Sequence, residues 1–217
     1  MDDHEGKFIA TYEMPLYEKT PRYGTGAFGQ LGVRGELVFD TRDNPGHARR
    51  GVRFRLGGEL YPKLWDVESI FGHVAGEASA YLSASVPTSP TLALRVGGKT
   101  VRGVFPFHEA AVVGGSGNLR GFRKDRFAGE SALYGNGELR VRLTRIFFLF
   151  PGELGAFAAV DAGRVFFKYD PQEAGGWHIG TGGGLWLSFL KRRGTLSAAR
   201  MYGEDLTGLY LRAGLMF

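Results

Sequence analysis

Cysteine is absent from this chain of 217 residues, which removes both a disulfide framework and a thiolate metal site. Long apolar runs are absent too: with no stretch of about 18 apolar residues, no transmembrane helix can form. That exclusion does not reach membrane barrels, whose strands alternate apolar and polar residues and average to the hydropathy of a soluble protein. Proline is scarce, at 9 residues, and together with 35 glycines it stays below the level of a disordered chain. The glycines are spread through alternating runs, where they suit bends and close strand packing rather than a flexible linker.

The opening residues, Met1-Asp2-Asp3-His4-Glu5, lack the apolar core of a secretory leader. A leader exchanged for an initiator Met and a piece of a longer chain both fit this start. Asp2, Asp3, His4 and Glu5 read as a solvated terminus rather than a metal site. A basic stripe is missing as well, despite a formal net charge of +5. Arg34, Arg53, Arg55, Arg95, Arg140 and Arg142 fall on alternate positions of separate runs, near Glu36, Glu59, Glu77 and Glu138. That is a mixed-sign interior or face, and it does not track phosphates, so no nucleic-acid partner is expected.

Catalytic motifs are equally wanting. Ser116 lacks the glycine two residues on that a nucleophile elbow needs, because Asn118 stands there. The five histidines are scattered, with no metal-ligand spacing and no phosphate-binding loop. Gly24, Gly26 and Gly29 match G-x-G-x-x-G without the strand-then-helix context of a dinucleotide site. Glu138 and Asp161 read as interior charges paired with arginine rather than as a catalytic acid pair. No catalytic, cofactor or metal residue is assigned, and the chain is not expected to be an enzyme.

What is present is period-two alternation. Leu31, Val33, Leu37 and Phe39 share a face opposite Arg34, Glu36 and Asp40, and the chain turns at Asp40-Thr41-Arg42-Asp43-Asn44-Pro45-Gly46. Val52, Phe54 and Leu56 then oppose Arg53, Arg55 and Glu59. Further runs follow over residues 70–83, 92–96, 133–144, 154–167, 177–189, 196–202 and 209–217, the 196–202 run being a poor strand; residues 8–16 make one more, interrupted by Pro15. The run at 133–144 exceeds the five or six residues of a common sandwich strand and suits a tilted membrane-spanning one of about 9–11. The aromatic cluster Phe147-Phe148-Leu149-Phe150 fits a membrane interface. Between the runs lies a loop from about residue 98 to 131, holding Gly114-Gly115-Ser116-Gly117-Asn118-Leu119-Arg120-Gly121-Phe122. A long ordered loop inside a compact domain is usually functional.

Four features, in this order along the chain, resemble the BamA/TamA-type family of outer-membrane assembly and translocation barrels (the bacterial surface antigen superfamily). The hairpin carries Asp40, Arg42 and Asp43 and is followed by Gly51. The loop carries Gly114, Gly115, Leu119, Arg120, Gly121 and Phe122. The strand motif Ala159-Val160-Asp161-Ala162-Gly163 is similar to the family's Phe-x-Asp-x-Gly, with Ala159 in the aromatic position. The last strand ends on Phe217, with Leu209, Leu211 and Leu215 on the same parity, as in the terminal signal that the barrel assembly machinery reads.

The resemblance implies an all-β fold: one antiparallel transmembrane β-barrel of about ten strands over residues 1–217, least defined by pattern over 1–29, with the Arg-Gly-Phe loop folded inward. Asp161 shares a parity with Gly155, Phe157 and Gly163, and Glu138 lies on the polar parity of its own run. The in-folded loop should therefore pair Arg120 with Asp161, with Glu138 close by. The implied function is that of an outer-membrane barrel related to insertion and translocation barrels, in a minimal form without periplasmic docking modules. Two other readings stay open: the anchor or transporter portion of a larger envelope protein, and a soluble ligand-binding barrel. The partners implied are the lipid bilayer with lipopolysaccharide and the assembly machinery, in the outer membrane of a Gram-negative-type bacterium. Homo-oligomerisation would relieve the crowding of a narrow barrel. No cofactor is expected.

Overall fold

The computed structural model describes residues 23–24, 26–147, 151–167, 176–204 and 206–217. Among these described residues eleven strands form: β1 (Val33–Asp40), β2 (Gly51–Tyr61), β3 (Phe71–Ser83), β4 (Thr91–Arg102), β5 (Ala111–Val113), β6 (Phe127–Gly129), β7 (Ser131–Phe147), β8 (Pro151–Phe166), β9 (His178–Phe189), β10 (Gly194–Tyr202) and β11 (Thr207–Ala213). Nine of them make one antiparallel sheet in the order β1-β2-β3-β4-β7-β8-β9-β10-β11, and β5 and β6 form a separate small hairpin. Among the described residues β1 and β11 have no second neighbour, so the sheet is not closed. Of the runs read from the sequence, the one at residues 8–16 lies outside the described residues, and each of the others is a strand of the sheet.

Neighbours in the chain are neighbours in the sheet, except where the loop between β4 and β7 carries β5 and β6. Connections at one end are the stretches 41–50, 84–90 and 190–193, which we call the turn end. At the opposite, loop end lie 62–70 and 103–130. The sheet curls: Asn44 of the first turn donates to the Lys191 carbonyl at 3.2 Å, and Arg192 donates to Asp43 at 3.0 Å. Contacts between the turns of the second-last and first hairpins require the two halves of the sheet to face each other.

Alternation then sorts side chains between a concave and a convex face. The convex face is apolar, with Val52, Phe54, Leu92, Leu94, Val96, Leu139, Val160, Leu185 and Leu196 all exposed. The concave face holds Arg95, Asn136, Glu138, Arg140 and Asp161, all buried. Exposed apolar residues in a continuous belt around a charged interior are the reverse of a soluble barrel, and lipid is the solvent that fits.

Three expectations are corrected. β4 extends six residues past Val96, to Arg102, because Gly97 and Gly98 are strand residues: a Cβ on Gly97 would lie 2.4 Å from the Tyr134 hydroxyl, whose ring occupies that space. β10 is a full strand although Ser197, Ala198 and Ala199 blur its pattern, since it pairs along its length with both β9 and β11. The last run does not keep one parity to its end. Leu209 and Leu211 are 72% and 73% exposed on the convex face, but β11 stops at Ala213 and Gly214 takes a φ of +107°, accessible to glycine. Leu215 then packs inward on Trp186, Phe157 and Met201, and Phe217 sits against Ala48, Tyr81 and Ala93.

If the convex belt faces lipid, an arginine there is costly. Leu139→Arg, midway along β7, should lower folding stability in lipid vesicles by roughly 2–4 kcal/mol in a denaturant titration followed by tryptophan fluorescence. An unchanged midpoint would place that face away from lipid.

Candidate functional site

The 103–130 loop leaves the loop end and returns into the concavity. Its stem is a 3-10 turn (Phe107–Glu109) and the β5–β6 hairpin. Gly114 and Gly115 follow with φ of +139° and +83°. Asn118 fixes the bend: its Oδ1 accepts from the Gly114 amide at 2.8 Å, and its Nδ2 donates to the Val112 carbonyl at 3.1 Å. Leu119 and Phe122 enter a core with Val113, Phe127 and Val165, anchoring the loop on either side of Arg120.

Arg120 is thereby delivered to the wall. Its Nε donates to Asp161 Oδ2 at 2.7 Å and its Nη2 to Oδ1 at 2.8 Å, a two-pronged pair, while its own amide reaches Oδ2 at 3.0 Å. The Nη1 donates to Glu138 Oε1 at 2.6 Å. Glu138 Oε2 in turn accepts from Arg140 Nε at 2.9 Å, and Arg140 Nη2 donates to the Phe217 carbonyl at 2.9 Å. Asp161, Glu138 and Arg120 are 0%, 1% and 3% exposed. Burial opposes the charge on Arg120, but hydrogen bonds to Asp161 and the field of Glu138 more than offset it and hold its pKa above the usual value.

The wall is shaped to admit the loop backbone. A Cβ on Gly180 of β9 would lie 1.9 Å from the Arg120 carbonyl, and one on Gly163 would lie 2.5 Å from Val113. The glycine of the Asp-x-Gly motif therefore makes room for the loop that its aspartate binds. Ala159, in the position of the motif's aromatic, is buried on the same face beside Trp186 and Met201.

Three consecutive loop carbonyls also find donors on the wall. Arg212 Nη1 donates to Ser116 at 2.7 Å, Arg95 Nη2 to Gly117 at 2.7 Å and Asn136 Nδ2 to Asn118 at 2.8 Å. The Gly121 amide donates to the Tyr210 hydroxyl at 2.9 Å. Tyr210 and Arg212 belong to β11, so the loop is bonded to an edge strand of the sheet. Sequence reasoning put Arg95 and Arg140 in a mixed-sign interior or face without joining them to the loop, and it did not single out Asn136, Tyr210 or Arg212 as site residues. Each is a polar residue on the inward parity of its strand, and that parity was the signal available.

The other residues singled out in the sequence lie elsewhere. Asp40, Arg42 and Asp43 sit at the turn end, where Asp40 accepts from Arg42 Nη2 at 2.7 Å and Asp43 from the Arg49 amide at 2.8 Å. Leu209 and Leu211 face outward, whereas Leu215 and Phe217 are turned inside.

A curled antiparallel sheet with an apolar convex face, a charged concave face and a loop bonded into the concavity defines an integral membrane protein of the β-strand type. The Omp85 superfamily domain matches residues 9–188, and the chain belongs to that superfamily. Among solved structures, BamA from Haemophilus ducreyi lacking POTRA domains 1–3 is similar in fold, with a TM-score of 0.62 and 15% identity over 84% of this chain. This chain spans 40% of the length of that one. No individual curated protein matches the sequence significantly.

Removing one partner from a buried, hydrogen-bonded ion pair leaves the other charge stranded and costs about 3–5 kcal/mol. Arg120→Ala should cost that much in detergent stability and open the loop to trypsin at Arg123 and Lys124. Asp161→Ala should add little once Arg120 is gone, and strictly additive losses in the double-mutant cycle would show that the two do not act together. Gly180→Ala, which leaves all three charges in place, should expose the same trypsin sites.

Proposed function

We propose that this chain works as an outer-membrane barrel that assists the insertion or translocation of other proteins, with the Arg120 loop acting as the lock that holds its interior together. One observation carries this reading: the loop is bonded both to the wall, through Asp161 and Glu138, and to the edge strand, through Tyr210 and Arg212. A lock that spans wall and edge can hold an edge closed or release it, and an edge that opens within a bilayer exposes backbone groups that another strand can satisfy. The bilayer with its lipopolysaccharide is then the working partner. The assembly machinery would read Leu209, Leu211, Leu215 and Phe217 on the unfolded strand, before the tail turns inward.

Closure in lipid follows from strand parity. In an antiparallel sheet of nine strands the first and last run in the same direction, so joining β1 to β11 would need a parallel ladder. Another copy inserted in the same orientation meets the same obstacle. One further antiparallel strand removes it. Phe8, Ala10, Tyr12, Met14 and Leu16 share one parity just upstream, with Ile9, Thr11, Glu13 and Pro15 on the other, and this run, which lies outside the described residues, is our candidate for that strand. The result is a single barrel domain of about ten strands. That the chain spans 40% of the matched structure favours a second reading, in which it is the barrel portion of a larger envelope protein.

Purified protein in vesicles should accelerate the folding of an unfolded outer-membrane barrel added from outside, relative to protein-free vesicles. No acceleration would favour the anchor reading. For closure, the cysteine-free chain allows pairs of introduced cysteines, one within residues 9–15 and one within 207–213. A disulfide within one chain at monomer mass in detergent is expected; links between chains would instead indicate closure through a second copy, and no link at all would contradict closure at this seam.

A further inference from the structure

The hairpin motif takes no part in the loop site, yet its turn is unusually well anchored for a connection at the short-turn end. Residues 43–49 reach across the concavity to the opposite half of the sheet. Asp43 accepts from Arg192 at 3.0 Å, the His47 carbonyl accepts from Arg192 at 3.2 Å, and Asn44 donates to the Lys191 carbonyl at 3.2 Å. Arg49 Nη2 donates to Glu153 of β8 at 2.6 Å, and Glu153 also holds Arg142 of β7 at 2.8 Å. His47 stands edge-on to Trp186 of β9 with centroids 4.5 Å apart, and Ala48 packs on Tyr81 of β3 and Ala93 of β4. Residues of β3, β4, β8 and β9 are thus all touched by one short turn.

His47 and Ala48 are each 2% exposed, which for a turn at a barrel rim means that it is folded in and not hanging off. Phe217 fills the remaining space: its ring lies beside Tyr81, with the Arg95 and Arg140 guanidinium carbons 5.0 and 5.3 Å from its centroid. Burial, and then the charges of Arg140, Arg49 and Arg192, push the His47 pKa down to about 3 against the opposing pull of Asp43. The ring therefore packs uncharged near neutral pH. On the loop side of this turn lies a cavity of about 390 Å³ lined by Arg34, Glu36, Arg55, Glu59, Glu77 and Lys99, a space polar enough to hold water and ions.

We propose that residues 43–49 are a plug that shuts the turn-end mouth of the lumen to ions, latched by Arg192 to Asp43 and by Arg49 to Glu153. The proposal rests on the barrel closure argued above. The plug separates the charged cavity from the mouth beneath it, and the Arg120 loop closes the other half of the concavity independently. A barrel sealed in this way can stay in a membrane without leaking while its seam does other work.

The plug can be removed without disturbing the hairpin, because the Asp43 amide donates to the Arg50 carbonyl at 3.1 Å and extends the β1–β2 ladder to that pair. Replacing residues 44–49 by Asn-Gly gives a two-residue turn suited to such a ladder. In planar bilayers the unaltered protein should be nearly silent, and the shortened-turn protein should pass roughly tenfold or more current at the same voltage. Arg192→Ala should open intermittently. Adding Asn44→Cys and Lys191→Cys to that variant should silence it when oxidised, with current restored by reductant. Slower gel migration after heating reports barrel closure separately, so loss of that shift points to the barrel reading and not to the plug. The proposal is overturned if the unaltered protein already conducts fully. It is equally overturned if the shortened-turn protein keeps its heat shift and stays silent, or if the oxidised cysteine pair leaves the Arg192→Ala current unchanged.

Discussion

The structure depends on one buried cation held between two buried carboxylates. Arg120 brings a flexible-looking glycine loop into contact with β7 and β8, and its charge can be buried only because Asp161 and Glu138 meet it with matched geometry. Without that pairing the loop would have to leave Arg120 in solvent, and Glu138 would keep Arg140 while Asp161 lost the hydrogen bonds it accepts from Arg120. The glycines at 163 and 180 matter for the same reason, since a side chain at 180 would meet the loop backbone at Arg120 and one at 163 would meet the Val113 side chain.

From this point the interactions spread along a continuous path. Asp161, Arg120, Glu138 and Arg140 form an alternating chain of charges that ends on the Phe217 carbonyl at the turn end. The loop carbonyls at Ser116, Gly117 and Asn118 engage β11, β4 and β7 in turn. An open-edged sheet of long strands gains its curl from such cross-lumen bonds as much as from the ladders, because the ladders alone fix neighbours and not the two halves relative to each other. The inward tail and the first turn complete the same pattern from below.

Much of this was legible in the sequence, and for definite reasons. Period-two alternation identifies strands wherever one face is apolar, so β1, β2, β7 and β8 could be read directly. The parity of Asp161 and Glu138 places both carboxylates on the inner face without coordinates. The 97–102 stretch was not legible as strand, because Gly97 has no side chain to report its face and its space is taken by Tyr134 from the neighbouring strand. The inward turn at Gly214 was hidden because Leu215 and Phe217 keep the parity of Leu211 on paper, and only a positive φ breaks it. Arg212 and Tyr210 look like ordinary inward residues until a loop carbonyl and amide are placed against them.

The central claim is that the buried cluster around Arg120 holds loop and edge strand as one unit. Amide hydrogen exchange of Asp161→Asn in detergent, compared with the unaltered protein, tests it most directly. The account predicts that residues 116–121 and 207–213 lose protection together while β2 and β3 keep theirs. Faster exchange in the loop with residues 207–213 unchanged, or no change in either, would contradict it.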